Sequence, residues 1–314
     1  MTSGSNVIDI NRRRKEAEKG AKPGKVSAIR AQSLRIEPLS IALGAEVLGL
    51  NLAGAPLGES ELAGIRSAFL THHLLCFRGE PLKPGDFSRV ANYFGEPQLQ
   101  LYRKQRVDGV PEVSILESTY KSAEDKPDDL TLVRLSGWHT DDSYFATPAK
   151  ATMLQVLSQP SSGGETRFCN TRQAYEDLDD DMKQRLQQLR AVHSYDTRRA
   201  PGRAPERSEV EKAETPDVTH PLVRTHEDTG YKAIYFNPNR TDRVVGMERK
   251  DSDELLDWLY AHMTQPKYRY DHAWQPGDIL LWDNRCLVHS VNTDFPVGEK
   301  RVHQRILLKG TRPV

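Results

Sequence analysis

The chain has few cysteines and no long apolar run. Its three cysteines, Cys76, Cys169 and Cys286, are scattered among 314 residues without the spacing of a metal site or a disulfide framework. We therefore expect a protein of a reducing compartment, the cytoplasm. No stretch approaches the roughly 20 apolar residues that cross a bilayer, and we expect no secretory signal. These absences predict a soluble protein without a membrane partner.

Net charge is also absent, because 44 Lys and Arg residues balance 44 Asp and Glu residues. A neutral chain gives no reason to expect nucleic acid as a partner. The sequence contains no G-x-G-x-x-G, no Walker loop and no G-x-S-x-G. Their absence argues against the common nucleotide-binding folds and against an α/β-hydrolase.

The first 33 residues differ in composition from the rest. Charged residues crowd Asn11–Gly20 and Lys22–Lys25, and large apolar side chains are rare there. Such a segment buries too little surface to offset its ordering entropy. The sequence predicts a flexible charged N-terminal tail over residues 1–33 and one domain over 34–314.

Within that domain, short apolar segments alternate with Gly, Pro and a few helical patterns. This arrangement is typical of a mainly β fold with helical decoration (α+β), a jelly roll or barrel. The irregular segment from Pro97 to Gly137 suggests an active-site lid, except that its charged portion from Lys121 to Asp129 is better explained as surface decoration. We predict strands at Arg35–Leu39, Ala45–Leu50, His73–Arg78, Glu112–Glu117, Ala151–Leu157, Glu165–Phe168, Leu222–Thr225, Ala233–Phe236, Ile279–Asp283 and Arg301–Leu308, helices at Glu59–Thr71, Pro84–Phe94, Thr171–Leu189 and Asp251–Met263, and an exposed insertion at 196–218.

The strongest functional signal is the H-x-D in Gly137–Asp141, with a further histidine, His289, far downstream. In an extended strand, residues two apart project to the same side, so His139 and Asp141 could bind one ion while Asp142 points away. Two imidazoles and one carboxylate suit a non-heme Fe(II) oxygenase, whose open positions take a co-substrate and dioxygen. The spacing alone is weak, since a strand-end histidine and an N-capping aspartate also explain it.

Two arginines follow His289, at Arg301 and Arg305. A spacing of four on a strand puts both guanidinium groups on the same face, about 13 Å apart at roughly 3.3 Å per residue. A planar, permanently charged donor group suits carboxylate or sulfonate recognition. The pair could therefore serve two different anions.

These features together resemble the taurine dioxygenase family of Fe(II)- and 2-oxoglutarate-dependent oxygenases, which also includes phenoxyacetate-herbicide dioxygenases and alkylsulfatases. The resemblance runs from about Arg35 to Arg312, and it implies a double-stranded β-helix, the cupin-like jelly roll. The matching blocks are Gly44–Glu46, Phe94–Glu96, Trp138–Asp141, Gly163–Thr166, His220–His226, Trp282–Arg285 and the closing Arg-x-x-x-Arg.

The resemblance implies a role for each matched position. Fe(II) would be held by His139, Asp141 and His289. The co-substrate 2-oxoglutarate would chelate the iron, with its distal carboxylate on Arg301 and the Thr166 hydroxyl. Dioxygen would then oxidise a small anionic organic substrate by hydroxylation, with or without subsequent cleavage, and succinate and CO2 would be products.

The substrate residues implied by the family are Arg305, which would bind the anionic group, and Tyr144, which would line the pocket. Gln100 and Tyr102 follow Phe94–Glu96, where taurine dioxygenases have histidines. A neutral glutamine removes a cationic partner for a sulfonate, so taurine itself is not predicted. A carboxylate, sulfonate or sulfate ester would each suit Arg305, and the resemblance also implies a homo-oligomer.

Two other classes of function stay open on the sequence alone. A zinc hydrolase could use the same His, Asp and His, although the chain offers no evident general base. A non-catalytic jelly-roll protein could bind a small molecule. Metal identity and 2-oxoglutarate turnover separate these alternatives from the oxygenase.

Overall fold

The computed structural model describes residues 34–200 and 206–314. The tail predicted over residues 1–33 lies outside the described residues. Within the described ranges, no helix combines the length and the apolar character needed to span a bilayer.

Strands make up most of the regular structure. They are β1 Arg35–Pro38, β2 Ala45–Leu48, β3 Leu74–Phe77, β4 Pro97–Gln98, β5 Arg106–Val107, β6 Val110–Ser118, β7 Ala151–Ser158, β8 Thr166–Asn170, β9 Arg190–His193, β10 Val218–Pro221, β11 Val223–Thr225, β12 Lys232–Ile234, β13 Thr241–Val244, β14 Arg269–His272, β15 Ile279–Asp283, β16 Leu287–Val291 and β17 Arg301–Leu308.

The main sheet has nine strands in the order β1-β2-β3-β15-β7-β17-β6-β5, with β4 paired to β17. Strand β15 is buried along its whole length, because it pairs with β3 on one side and β7 on the other. Three smaller sheets have the orders β14-β8-β16, β10-β9-β13 and β11-β12. The mainly β, jelly-roll architecture predicted from the sequence is confirmed.

The core lies between the main sheet and the β14-β8-β16 sheet. One apolar cluster contains Leu154 and Leu280 from the main sheet together with Phe168 and Leu287 from the smaller one. A second cluster packs two helices, Glu59–His72 and Pro84–Ala91, on the main sheet. The smaller sheet carries His289 on β16, and the main sheet carries Arg301 and Arg305 on β17.

Helices decorate the sheets. The α-helices are α1 Glu59–His72, α2 Pro84–Ala91, α3 Thr171–Glu176, α4 Asp180–Gln187, α5 Glu209–Ala213 and α6 Arg249–Met263, and the 3-10 helices are Arg103–Gln105, Ala123–Asp125, Leu130–Leu132, Arg134–Ser136 and Pro266–Tyr268. Helix α1 buries Leu62, Ile65 and Phe69, the three apolar positions that predicted it.

Two predictions of helical structure were wrong in detail. The single helix predicted over Thr171–Leu189 is two helices, because the Asp179 side chain accepts a hydrogen bond from the Met182 N–H and starts α4 anew. The helix predicted to reach Phe94 ends at Ala91. The insertion predicted at 196–218 contains α5, and residues 201–205 within it are outside the described part.

Candidate active site

The structure brings His139, Asp141 and His289 together. One ligand atom from each of the three lies within 4.8 Å of the other two. His289 Nε2 is 4.0 Å from Asp141 Oδ2, and the two imidazole centroids are 4.1 Å apart. Three donors at this separation can contact one ion.

A backbone bridge between distant segments makes this arrangement possible. His139 N–H donates to His289 O at 2.8 Å, and His289 N–H donates to His139 O at 2.7 Å. His139 thereby joins the edge of β16 through an isolated bridge. The prediction of a strand continuing through Asp141 was wrong, because a turn begins there. The Asp141 carboxylate is positioned by Thr152 on β7, whose hydroxyl donates to Asp141 Oδ2 at 2.6 Å, and not by a strand.

The protonation of the three groups suits metal binding. His139 Nδ1 lies 3.0 Å from the Gly137 carbonyl, which only accepts, so Nδ1 carries the proton and Nε2 is left with its lone pair. Burial lowers the pKa of His139, and burial with the neighbouring His139 lowers the pKa of His289 to about 3. Burial opposes ionisation of Asp141, but His289, Arg305 and His139 outweigh it and lower its pKa to about 2. Two neutral imidazoles and one carboxylate result at neutral pH.

This donor set fits Fe(II). Imidazole and carboxylate ligands on one face of an ion, with the remaining positions open, are the facial arrangement of non-heme iron oxygenases. The Nδ1 atom of His289 is buried and has no hydrogen-bond partner among the described residues. The three side chains can therefore hold the metal that the sequence predicted.

Arg301 and Thr166 also lie together, as predicted. Arg301 Nη2 donates to Thr166 Oγ1 at 3.0 Å, and its Nε donates to the Gly164 carbonyl at 3.0 Å. The contact joins β17 of the main sheet to β8 of the smaller sheet. Burial lowers the pKa of Arg301 to about 10, so the guanidinium stays charged at neutral pH. A buried cation with neutral hydrogen-bond partners is suited to an incoming carboxylate.

Arg305, unlike Arg301, lies within ion-pair distance of one of the candidate metal ligands. Its Nη1 is 3.7 Å from Asp141 Oδ1, and its Nη2 donates to Gln100 Oε1 at 2.9 Å. The Nε of Arg305 and the Nε2 of Gln100 are buried without partners among the described residues. The two residues predicted to bind substrate are thus in contact, and each retains a donor for a ligand.

A cavity of about 350 Å³ opens over these groups. Seven of the nine predicted site residues line it: Gln100, Tyr102, His139, Asp141, Tyr144, Arg301 and Arg305. A larger cavity of about 560 Å³ lies beside Trp138 and Arg167, and none of the predicted site residues lines it. The chemistry is therefore concentrated in the smaller one.

The segment 97–137, predicted as a lid, forms one wall of the smaller cavity. Gln100, Tyr102 and Gln105 contribute from its beginning, and Arg134 and Leu135 from its end. The charged portion from Lys121 to Asp129 does not line the cavity.

Asp142 was expected to point away from the site, and this was wrong. It lines the same cavity, with Tyr144 Oη donating to Oδ1 at 3.0 Å and Gln98 Nε2 donating to Oδ2 at 2.6 Å. Its φ of 57° is left-handed, a conformation that Asp tolerates better than most residues. Burial and the adjacent Asp141 raise the pKa of Asp142 to about 6.

Sequence reasoning also missed Arg134 and Arg240, which line the cavity beside Tyr144. Neither belongs to a motif, and no local spacing marks them. They reach the cavity from a 3-10 helix and from the turn before β13.

The chain is similar to known proteins over most of its length. Residues 35–307 match the family model described as "Taurine catabolism dioxygenase TauD, TfdA family". An alpha-ketoglutarate-dependent 2,4-dichlorophenoxyacetate dioxygenase from Burkholderia sp. is 32% identical over 85% of this chain and 91% of the relative. An alkylsulfatase from Acinetobacter baylyi is 33% identical over 89% of this chain and 86% of the relative. Among solved structures, a taurine dioxygenase from Burkholderia xenovorans has a TM-score of 0.75 and 31% identity, covering 90% of this chain and 91% of its own.

Proposed function

The chain belongs to the TauD, TfdA family of dioxygenases, and from that premise we propose that His139, Asp141 and His289 are the iron ligands of its active site. The protein is an alpha-ketoglutarate (2-oxoglutarate)-dependent dioxygenase that uses Fe(II) and dioxygen. The observation that carries the ligand assignment is the convergence of the three donor atoms within 4.8 Å at a cavity that also contains Arg301 and Arg305.

Bound iron supplies the redox chemistry that couples oxidative decarboxylation of 2-oxoglutarate to oxidation of a substrate C–H bond, with succinate and CO2 as products. The protein contributes position and charge. Thr152 fixes the Asp141 carboxylate by a 2.6 Å hydrogen bond, and the backbone bridge fixes His139 against His289. Because these side chains are held rigidly, the metal's open coordination positions would keep the co-substrate and the substrate in a reactive arrangement.

Arg301 and Thr166 would hold the distal carboxylate of 2-oxoglutarate. The guanidinium is buried, retains its charge, and makes no ion pair with a carboxylate of the described residues. A carboxylate that enters here meets a buried cation in surroundings of low dielectric constant, so its charge-assisted hydrogen bonds are strong.

Arg305 would bind the anionic group of the primary substrate. Its partner, Gln100 Oε1, orients the guanidinium, while Tyr144 and Tyr102 supply aromatic wall for the carbon skeleton. Relatives are named for 2,4-dichlorophenoxyacetate, phenoxypropionate and sulfate esters, which are all anionic. A carboxylate, sulfonate or sulfate ester therefore remains the proposed class of substrate.

We also propose a cytoplasmic homo-oligomer that does not bind nucleic acid. Cys76, Cys169 and Cys286 are all free and buried, which suits a reducing compartment, and the net charge is zero. The oligomer rests on the family resemblance and stays a prediction.

The first experiment is an anaerobic absorption titration of the metal-free protein with Fe(II) and 2-oxoglutarate. We expect the weak visible charge-transfer band of the chelate in the wild type. We expect no band and no succinate in His139→Ala, because the two remaining ligands should not retain Fe(II). His72→Ala, at the end of α1 and outside the cavity, is the matched histidine control. A full band in His139→Ala would refute the ligand assignment, and bound metal without any band in the wild type would favour the zinc hydrolase or the binding protein.

A further inference from the structure

Arg134 and Arg240 are two cations in the cavity wall that the proposed function leaves without a role. Arg134 begins the 3-10 helix Arg134–Ser136, and Arg240 lies directly before β13. Both line the same cavity as Asp141, Arg301 and Arg305.

The two guanidinium groups meet at one acceptor. Arg240 Nη1 donates to the Tyr195 carbonyl at 2.7 Å, and Arg134 Nη2 is 3.4 Å from the same oxygen. Arg134 Nη2 also lies 3.3 Å from the Asn239 carbonyl. Two like charges are thereby held next to each other, and burial together with Arg240 lowers the pKa of Arg134 to about 10. Arg134 therefore stays charged at neutral pH, and a bound anion would offset the repulsion between the two guanidinium groups.

Within the described ranges, neither arginine forms an ion pair. Some other arginines of this chain do have carboxylate partners, since the half-buried Arg78 has Asp278 at 2.9 Å and the buried Arg285 has Asp283 at 2.7 Å. The carboxylates that line the cavity form no ion pair with the two arginines, although the Arg240 charge opposes the rise in the pKa of Asp142, and Asp196 outside the lining opposes the fall in the pKa of Arg134. Asp142 accepts from Tyr144 and Gln98, and Glu117 pairs with Lys300 at 3.3 Å.

The arginine pair is nevertheless held in place. The Arg240 guanidinium carbon lies 4.2 Å from the centroid of the Tyr195 ring and 4.9 Å from that of Tyr144. Stacking on aromatic faces fixes the plane of the guanidinium and leaves its edge for hydrogen bonds. A fixed pair of guanidinium groups at a cavity wall, without a carboxylate partner among the described residues, is suited to bind an anion.

We propose that the primary substrate carries two anionic groups, one bound by Arg305 and the second bound by Arg134 and Arg240. This inference rests on the proposed function, because it takes Arg301 as the 2-oxoglutarate residue and Arg305 as the first substrate anchor. Tyr144, which Arg240 overlies, and Tyr102 provide the wall for the carbon skeleton between the two ends. A cavity of about 350 Å³ is large enough for a small dianionic molecule.

The test is a binding titration in protein saturated with Mn(II) and 2-oxoglutarate, which fills the Arg301 pocket without turnover. The probes are α,ω-dicarboxylates from adipate to sebacate, each compared with the monocarboxylate of the same chain length. Calorimetry gives both dissociation constants. We expect at least one dicarboxylate to bind roughly ten-fold more tightly than its monocarboxylate, the value of one additional charge-assisted hydrogen bond.

Four variants identify the residues that cause the tighter binding of the dicarboxylate. Arg134→Gln and Arg240→Gln should each remove most of the ten-fold advantage while the monocarboxylate affinity stays about the same, and Arg305→Gln should weaken both ligands. Arg243→Gln is the matched control, because Arg243 lies on β13 three residues beyond Arg240 and pairs with Asp242 at 2.9 Å. The monocarboxylate measurement detects any general damage to the pocket.

Two results would overturn the inference: no dicarboxylate is preferred at any length, or the preference survives both Arg134→Gln and Arg240→Gln. Failure of the proposed function has a different signature, since Mn(II) and 2-oxoglutarate would not be retained in the loading step. In that case the same series, titrated into the metal-free wild type and variants, still decides whether the arginine pair binds an anion.

Discussion

At the scale of single residues, the Thr166 hydroxyl shows how one small group serves a charged ligand. Its oxygen accepts hydrogen bonds from Trp274 Nε1 and from Arg301 Nη2, each at 3.0 Å. A hydroxyl has one proton to donate, and neither contact uses it. The proton is therefore available for the distal carboxylate that we assign to this pocket.

Thr166→Val should weaken 2-oxoglutarate. The change keeps the shape of the side chain but removes one charge-assisted hydrogen bond and the acceptor that orients Arg301, so we expect the KM for 2-oxoglutarate to rise about ten-fold or more. Thr166→Ser, which keeps the hydroxyl, should stay close to the wild type. Steady-state kinetics with varied 2-oxoglutarate measures both, and an unchanged KM in Thr166→Val would contradict the assignment.

The positions of Asp142 and Arg240 in the cavity wall could not be predicted from residue identity alone. Asp142 follows a metal ligand and was expected on the opposite side, yet a positive φ turns it into the cavity. Arg240 is one of many arginines in the sequence, and its place beside Tyr144 depends on the turn that precedes β13. Neither position follows from a local pattern.

At the scale of elements, the backbone of a turn can determine where the next strand of a sheet begins. Gly277 precedes β15 with a φ of 84°, and a Cβ added there would lie 1.8 Å from the Gly79 carbonyl oxygen. The strand that follows is central to the main sheet, between β3 and β7. The close approach of the two backbones therefore sets where β15 starts.

Gly277→Ala should destabilise the protein considerably. The left-handed φ alone costs an alanine about 1–2 kcal/mol, and displacing the Gly79 backbone adds a further 1–3 kcal/mol or so. Gly246→Ala separates the two contributions, because Gly246 has a φ of 76° with no atom within 4 Å of an added Cβ. Urea unfolding of both variants gives the comparison, and equal losses would show that the predicted backbone clash is absent.

The elements also differ in how well the sequence predicts them. Strand β15 lies where predicted, because a short apolar run bounded by Pro276 and Gly277 has few other solutions. The strands β4, β5, β9, β10, β13, β14 and β16 were not predicted, since all but β16 have only two to four residues, too few to show an apolar pattern. The split between α3 and α4 depends on one capping aspartate inside a polar stretch.

At the scale of the whole molecule, several histidines are buried as neutral groups. Burial lowers the pKa of His73 to about 4 and that of His220 to about 4, and it lowers the pKa of His193 well below its usual value of 6.5. The unfolded chain titrates these imidazoles near 6.5, so between pH 6.5 and about 4 it binds more protons than the folded protein. Stability must fall as pH falls through that range.

The free energy of unfolding of the metal-free protein should therefore decrease from pH 7 to pH 4.5. Asp142, whose pKa is raised to about 6, acts in the opposite sense, but it is one group against several, because burial also lowers the pKa values of His139 and His289 in the metal-free protein. Denaturant titrations at a series of pH values measure the slope, and His220→Gln should make it shallower by removing one of the buried imidazoles. A stability that is flat or rises on acidification would show that these imidazoles are not buried as the structure has them.

The sequence by itself determined the reaction class, the jelly-roll architecture and the identity of the candidate ligands, because H-x-D, Arg-x-x-x-Arg and the family blocks are read along the chain. Tertiary structure decided how they meet. His139 reaches His289 through a backbone bridge, and Arg134 and Arg240 converge on the Tyr195 carbonyl from separate turns. The shape and charge of the cavity depend on such contacts between segments far apart in sequence, so the features that select a substrate appear only once the chain has folded.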